Sequence, residues 1–154
     1  MTHYTVQDIL DSHSVPYALH CHVPLLTLRD IEEHVTFPIE GMVKTMAFRV
    51  KPSTWVLVAL GAYSRVDYRK LADAVGVKRG ALVQASPEEV EVELGFQVGG
   101  VAPIPPREGV LAVYDEAVVG LDVVTVGSGR NDVTLEIRMA DLLRVVRPIV
   151  ASIT

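Results

Sequence analysis

Met42-Val43-Lys44-Thr45-Met46-Ala47-Phe48-Arg49-Val50, then Lys51-Pro52-Ser53, then Thr54-Trp55-Val56-Leu57-Val58-Ala59-Leu60 is the stretch from which the fold can be read. Side chains alternate across a strand, so Met42, Lys44, Met46, Phe48 and Val50 share one face of the first segment, and Val43, Thr45, Ala47 and Arg49 share the other. The proline turn ends it. The second segment is apolar at every position after Thr54, which predicts a central strand covered on both faces. Together they predict a hairpin. Lys44 is the anomaly, because a lysine in register with an apolar face needs a partner, a cavity mouth or a route for its amine to solvent. The pattern leaves the choice between these open.

Working outward, Thr5-Val6-Gln7-Asp8 has the form of a capping box and predicts a helix from about Val6 to His13, closed by Pro16. Tyr17 to Val23 reads as a strand with His20 and His22 on one face and Cys21 on the other. Cys21 therefore reads as a small buried hydrophobe, not as a nucleophile paired with its neighbours. Thr27-Leu28-Arg29-Asp30 opens a second helix, with Leu28, Ile31 and Val35 on one face and Phe37-Pro38 as its stop. Past the hairpin, Asp67 caps a helix over Tyr68 to Val75 that ends at Gly76. Ala81 to Gln84 is a short strand. Ser86-Pro87-Glu88-Glu89 combines an N-cap, a proline at the first helical position and a capping-box glutamate, and Gly95 ends that helix. Val110 to Tyr114, Val123 to Val126 and Val133 to Ile137 are β-branched strands, and Leu142, Leu143 and Val146 stripe a last helix before Pro148. Helices and strands interleave without strict alternation. The expected class is α/β (α+β), with a mixed β-sheet or partly closed barrel flanked by helices in one domain spanning residues 1–154.

A chain of 154 residues buries about 70% of its unfolded surface and needs no staple. With one cysteine there is no intrachain disulfide, and Met1-Thr2-His3-Tyr4 carries neither a basic region nor a signal-length apolar run, so the expected location is the cytoplasm. No apolar run approaches the roughly 20 residues that span a bilayer. A formal charge of −5 argues against wrapping DNA or long RNA, but permits contact with one end of an RNA. The basic residues gather at Arg65, Arg69, Lys70, Lys78 and Arg79.

Gly95-Phe96-Gln97-Val98-Gly99-Gly100-Val101-Ala102-Pro103 is a turn whose paired glycines allow close approach to its backbone. Its amides at Gly99 and Gly100 could serve an oxyanion or phosphate, or the turn could be only a connection. Gly127-Ser128-Gly129-Arg130-Asn131-Asp132 is a second glycine loop.

In order and spacing, Val43-Lys44-Thr45, the Gly95 to Pro103 turn about fifty-five residues later and the strand–Gly127-Ser128-Gly129–strand unit resemble the YbaK / prolyl-tRNA synthetase-associated domain family over nearly the whole chain. The resemblance implies a mixed-sheet fold and a free-standing deacylase that clears a wrong amino acid, Ala, Cys or Ser, from tRNA-Pro. It implies Lys44 as the essential lysine at the tRNA 3′ end, with Gly99 and Gly100 as backbone donors to the ester carbonyl. The implied substrate pocket takes in His22, Thr45, Phe96, Val101, Gly127, Ser128, Gly129, Asp132 and Thr134. Two positions depart from the family's pattern: relatives often have glycine in place of Asp132 and aspartate in place of Thr134, which bears on the amino acid accepted. The implied partners are the acceptor end of an aminoacyl-tRNA and prolyl-tRNA synthetase, with no cofactor.

No Ser–His–Asp order or metal-hydrolase spacing is present, so a covalent intermediate is not expected. An aminoacyl ester is activated enough for positioning, an amide oxyanion site and a water or ribose hydroxyl to suffice. A non-catalytic module binding tRNA or a synthetase, and a phosphate binder using Gly99 and Gly100, remain alternative functions.

Overall fold

The computed structural model describes residues 5–35 and 40–154. Among the described residues six α-helices, α1 Val6–Ser12, α2 Leu28–His34, α3 Tyr68–Val75, α4 Pro87–Leu94, α5 Glu116–Val119 and α6 Met139–Val146, are interleaved with eight strands. The strands are β1 Ala18–Cys21, β2 Val43–Val50, β3 Thr54–Gly61, β4 Leu82–Gln84, β5 Val110–Asp115, β6 Val123–Gly127, β7 Val133–Arg138 and β8 Ile149–Ala151. The expected hairpin is β2–β3, in antiparallel register from Val43 opposite Gly61 to Val50 opposite Thr54.

The hairpin forms the middle of a mixed five-stranded sheet of order β4-β2-β3-β5-β8, in which β5 runs parallel to β3 and to β8. A separate antiparallel sheet has the order β1-β7-β6. The expectation of a mixed sheet flanked by helices holds, but no barrel closes among the described residues. Where the two sheets meet, β2 touches β6 through a single parallel bridge between Met42 and Thr125.

The continuous apolar run of β3 is explained by its two cores. Trp55, Leu57 and Ala59 enter one core with Tyr114, Phe96 and Leu135, while Val56, Val58 and Leu60 enter the other with Phe48, Leu71 and Ile153. A strand buried on both faces has no solvent side on which to place polar residues. Truncating Leu57 to alanine in such a position costs about 2–5 kcal/mol.

The capping expectations are met at α2 and α4, where Thr27 with Asp30 and Ser86 with Glu89 make reciprocal capping boxes. At Thr5 only the forward half forms, its hydroxyl accepting from the Asp8 amide. Asp67 accepts from the amides of Arg69 and Lys70, and Gly76 ends α3 in the left-handed region at φ 82°. The side chain of Leu28 and the Phe37-Pro38 stop lie outside the described residues; α2 ends at His34.

Two elements carry no sequence signal, α5 with four residues and β8 with three directly after Pro148. The buried carboxylate of Asp115 caps α5, accepting from the Ala117 amide at 3.3 Å, and holds the chain just past β8, accepting from the Ile153 amide at 3.1 Å, while β8 itself pairs parallel to β5. Cys21 is exposed, which corrects its reading as a buried hydrophobe. It ends β1, an edge strand whose Cys21 face is left uncovered.

Candidate functional site

The site follows from the way β2 is paired. On one side β3 accompanies it throughout. On the other, β6 touches it at Met42, and β4 joins only from Phe48 to Val50. Residues of an antiparallel strand direct their backbone groups alternately to the two sides. The odd-numbered positions face away from β3, since the Gly41 carbonyl accepts from the Thr125 amide at 2.9 Å and the Ala47 carbonyl from the Ala85 amide at 3.0 Å. Between those bonds lies an open edge at Val43 and Thr45. A cavity of about 290 Å3 occupies it, lined by Val43, Lys44 and Thr45 together. The open edge explains how Lys44 and Thr45, on opposite faces of one strand, reach the same space.

Lys44 is half-buried beside Leu60 of β3. It makes no ion pair or hydrogen bond among the described residues, and no carboxylate among them lines the cavity. Burial of the ammonium is the larger cause lowering its pKa below the ordinary lysine range, and the neighbouring charge of Arg65 lowers it further. Such a group suits a negatively charged ligand.

Three glycines let three loops interlock around the cavity. A Cβ on Gly99, whose φ is +82°, would collide with the Leu25 carbonyl; one on Gly100 would collide with the Arg130 backbone; one on Gly127 would collide with the Val101 carbonyl. These positions are held to glycine by close backbone approach. The expectation that both glycine amides are free is corrected at Gly100, whose N–H donates to the Gln97 carbonyl at 2.9 Å to close the turn. Its carbonyl in turn accepts from the Gly129 amide at 2.7 Å. The cavity is lined by Gly99 and Val101, whose amides make no hydrogen bond among the described residues, and by Gly127, but not by Gly100.

His22 and Thr134 also line the cavity and touch, His22 Nε2 lying 2.7 Å from Thr134 Oγ1. His22 Nδ1 lies 2.7 Å from the Val23 carbonyl, which can only accept, so Nδ1 carries a proton. In the neutral ring the Thr134 hydroxyl then donates to Nε2.

The other pocket candidates stand elsewhere. Phe96 is 3% exposed in the core, where it backs Gly129 rather than facing the cavity. Asp132 turns its carboxylate to Arg130 in a bidentate pair at 2.9 and 3.0 Å, and this contact holds its pKa below the usual carboxylate range. Ser128 donates to the Val133 carbonyl at 2.6 Å and shapes the loop. None of Phe96, Ser128, Gly129 and Asp132 lines the cavity.

Sequence reasoning missed Thr125, Arg130, Asn131, Leu25 and Ile31, all of which line it. Thr125 is 5% exposed, and its hydroxyl, like that of Thr45, is buried without a partner among the described residues. A threonine within the run Val123 to Val126 is ordinary in a strand and gave no distinguishing signal. Chemically, the cavity offers the ammonium of Lys44, the guanidinium of Arg130 already held by Asp132, the residues Gly99 and Val101, whose amides make no hydrogen bond among the described residues, and a polar His22–Thr134 wall. That set suits an anionic ligand carrying a polarised carbonyl.

Residues 22–145 match the aminoacyl-tRNA editing domain family. Among solved structures, the chain superposes on the hypothetical protein APE2540 with a TM-score of 0.83 at 20% identity, covering 96% of this chain and 97% of that one. It superposes on a candidate trans-editing enzyme for prolyl tRNA synthetase with a TM-score of 0.77 at 24% identity, covering 97% and 94%. At these identities the likeness is one of fold.

Proposed function

Because this chain belongs to the aminoacyl-tRNA editing domain family, we propose that it is a deacylase acting as one domain of residues 1–154, hydrolysing the ester of a mischarged tRNA. The observation that carries the reading is the half-buried ammonium of Lys44, which has no ion pair or hydrogen bond among the described residues, in a cavity that no carboxylate among them lines. In this reading Lys44 meets the negative charge of the tRNA 3′ end. The ester carbonyl turns its oxygen toward the amides of Gly99 and Val101, which replace the Gly99 and Gly100 pair expected from the sequence. Water, admitted directly or through the ribose hydroxyl, adds to the carbonyl carbon. Collapse of the adduct breaks the ester C–O bond, giving the free amino acid and the tRNA 3′-terminal hydroxyl. Fixed amides stabilise the developing oxyanion without having to reorganise.

The tRNA proposed is tRNA-Pro, and the amino acids are Ser, Cys and Ala. A clash excludes larger side chains more strongly than the 1–3 kcal/mol or so by which an apolar pocket separates one methylene. The polar wall of His22 and Thr134 supports Ser and Cys above Ala. The kinship of fold with a candidate prolyl-editing enzyme supports the choice of tRNA and a role beside prolyl-tRNA synthetase. The test is side-by-side hydrolysis of Ser-, Cys-, Ala- and Pro-charged tRNA-Pro. Loss of the first three esters with the prolyl ester spared is expected. Rapid loss of the prolyl ester would overturn the editing role, and binding of tRNA without any hydrolysis would make the domain a non-catalytic module.

A further inference from the structure

Helix α3 and its flanks carry a charge distribution opposite to the rest of the chain. Between residues 65 and 79, five cations (Arg65, Arg69, Lys70, Lys78, Arg79) stand against two carboxylates (Asp67, Asp73), a net +3 in a chain of −5. All five are exposed. Elsewhere Arg29, Arg49, Arg107, Arg130 and Arg144 each have a carboxylate within 4 Å, whereas Lys44, Lys51, Arg138 and Arg147 have none among the described residues. None of the five cations around α3 pairs with an Asp or Glu side chain among the described residues, although Lys70 Nζ donates to the main-chain oxygen of Thr154 at 2.7 Å. Asp67, the acid nearest in sequence, is committed to the backbone amides that begin the helix.

The cations are also placed. Arg79 stacks its guanidinium 4.4 Å from the centre of the Tyr68 ring, at the start of α3 and next to Arg69. Tyr68 meets Phe48 edge-on with ring centres 5.4 Å apart. Phe48 lies four residues along β2 from Lys44 on the same face, about 13 Å at strand rise. Arg65 follows the turn that leaves β3, which the Ser64 amide closes onto the Gly61 carbonyl at 3.0 Å, and stands three residues after Ala62, which lines the cavity; its charge also acts on Lys44. The segment thus has Arg65 at its cavity end and Arg79, on Tyr68, at its other end.

We propose that this row, Arg65–Arg69–Arg79, is the docking surface for the phosphate backbone of the RNA acceptor end behind the ester, an inference that rests on the deacylase reading. Unneutralised arginines are suited to phosphate through their planar, multi-donor heads, and a row of them with Arg65 at its cavity end complements one strand of an RNA entering the cavity. An acidic protein surface is the competing partner.

The test compares kcat/KM for a full aminoacyl-tRNA and for the same amino acid esterified to a CCA trinucleotide. The enzymes are wild type, Arg69→Glu/Arg79→Glu, Arg69→Lys/Arg79→Lys and an Arg144→Glu control. The expected result is a fall on the order of tenfold or more for the Glu pair on the full tRNA alone. The slope of log kcat/KM against log salt should also flatten by roughly 0.7–0.9 for each phosphate that is no longer neutralised. The control should stay near wild type, and the Lys pair, which keeps the charge but loses the forked head, should fall between the control and the Glu pair. Equal losses on both substrates, or none on either, would overturn the docking surface. So would a Glu pair that keeps full activity on tRNA but no longer binds prolyl-tRNA synthetase. If the wild type cleaves neither ester, the deacylase reading fails by itself, and the surface is then judged by binding of uncharged tRNA: weaker binding by the Glu pair than by wild type upholds it, and equal binding overturns it.

Discussion

Thr134 Oγ1 lies 2.7 Å from His22 Nε2 and joins the second sheet to the loop leading out of β1 across the wall of the cavity. The Nδ1 bond to Val23 fixes the ring, so the hydroxyl fixes the other nitrogen's role. Thr134→Val keeps the shape and removes the donor. A neutral hydrogen bond of this kind contributes about 0.5–1.5 kcal/mol, so stability should fall by no more than that. If the wall reads a polar side chain, Ser and Cys esters should lose their advantage over Ala, while the Ala rate stays within about twofold. Unchanged relative rates would remove Thr134 from the specificity wall. The measurement is competitive deacylation of the three esters.

The pH dependence of stability isolates Lys44. Its folded pKa is depressed, by burial first and Arg65 second, below the value in the unfolded chain. Below both pKa values the ammonium is charged in both states, and its desolvation costs stability. As pH rises through the folded pKa, the native state releases its proton before the unfolded state does, and the cost is relieved. Lys44→Met should therefore be more stable than wild type near pH 7, with the gap closing as pH approaches the ordinary lysine value of about 10.4. Urea melts at pH 7 and pH 9.5 check this. The same substitution should lower deacylation on the order of 10²–10³-fold if Lys44 neutralises charge at the ester. A variant as unstable as it is inactive would make Lys44 a structural residue.

Much of the fold was legible because its local signals are physical and short-ranged. Ser86-Pro87-Glu88-Glu89 can hardly begin anything but a helix, and the unbroken apolar run of β3 requires two cores. What was not legible depends on residues distant in sequence. The brevity of α5 and β8 hides them, and Asp115, which caps α5 and holds the chain just past β8, resembles any strand-end acid. Within the site, Lys44 was visible as a break in an apolar pattern, whereas Thr125 was not, because one threonine among valines is ordinary in a strand. The engagement of the Gly100 amide was equally hidden: the glycine pair announces close approach but does not say which of its amides the turn itself consumes.

Thr125 offers a test of packing apart from chemistry. Its hydroxyl is buried with no partner among the described residues, and such a group costs free energy that an apolar isostere avoids. Thr125→Val should raise stability by about 1 kcal/mol and leave deacylation within about twofold. Chemical denaturation with an unchanged m-value is the appropriate measurement. A loss of stability would instead mean that a bound water satisfies the hydroxyl in solution.

Gly127 and Val101 test whether the cavity is assembled by its glycines. A Cβ at Gly127 would meet the Val101 carbonyl oxygen and carbon, which are backbone atoms and cannot rotate away as a side chain could. Gly127→Ala must therefore displace the 99–101 turn, and with it the backbone of Gly99 and Val101, two residues that line the cavity. Overpacking of this kind costs about 1–3 kcal/mol. If the amides of Gly99 and Val101 serve the oxyanion, the rate per folded molecule should fall as well, by an amount that approaches the 10²–10³-fold loss of an oxyanion donor as the displacement grows. Gly120→Ala is the control, because a Cβ there meets nothing within 4 Å and its φ is −84°. That variant should match wild type in melting temperature and rate. A Gly127→Ala protein that is destabilised yet turns over normally per folded molecule would leave the glycines as packing residues and remove the 99–101 amides from the chemistry.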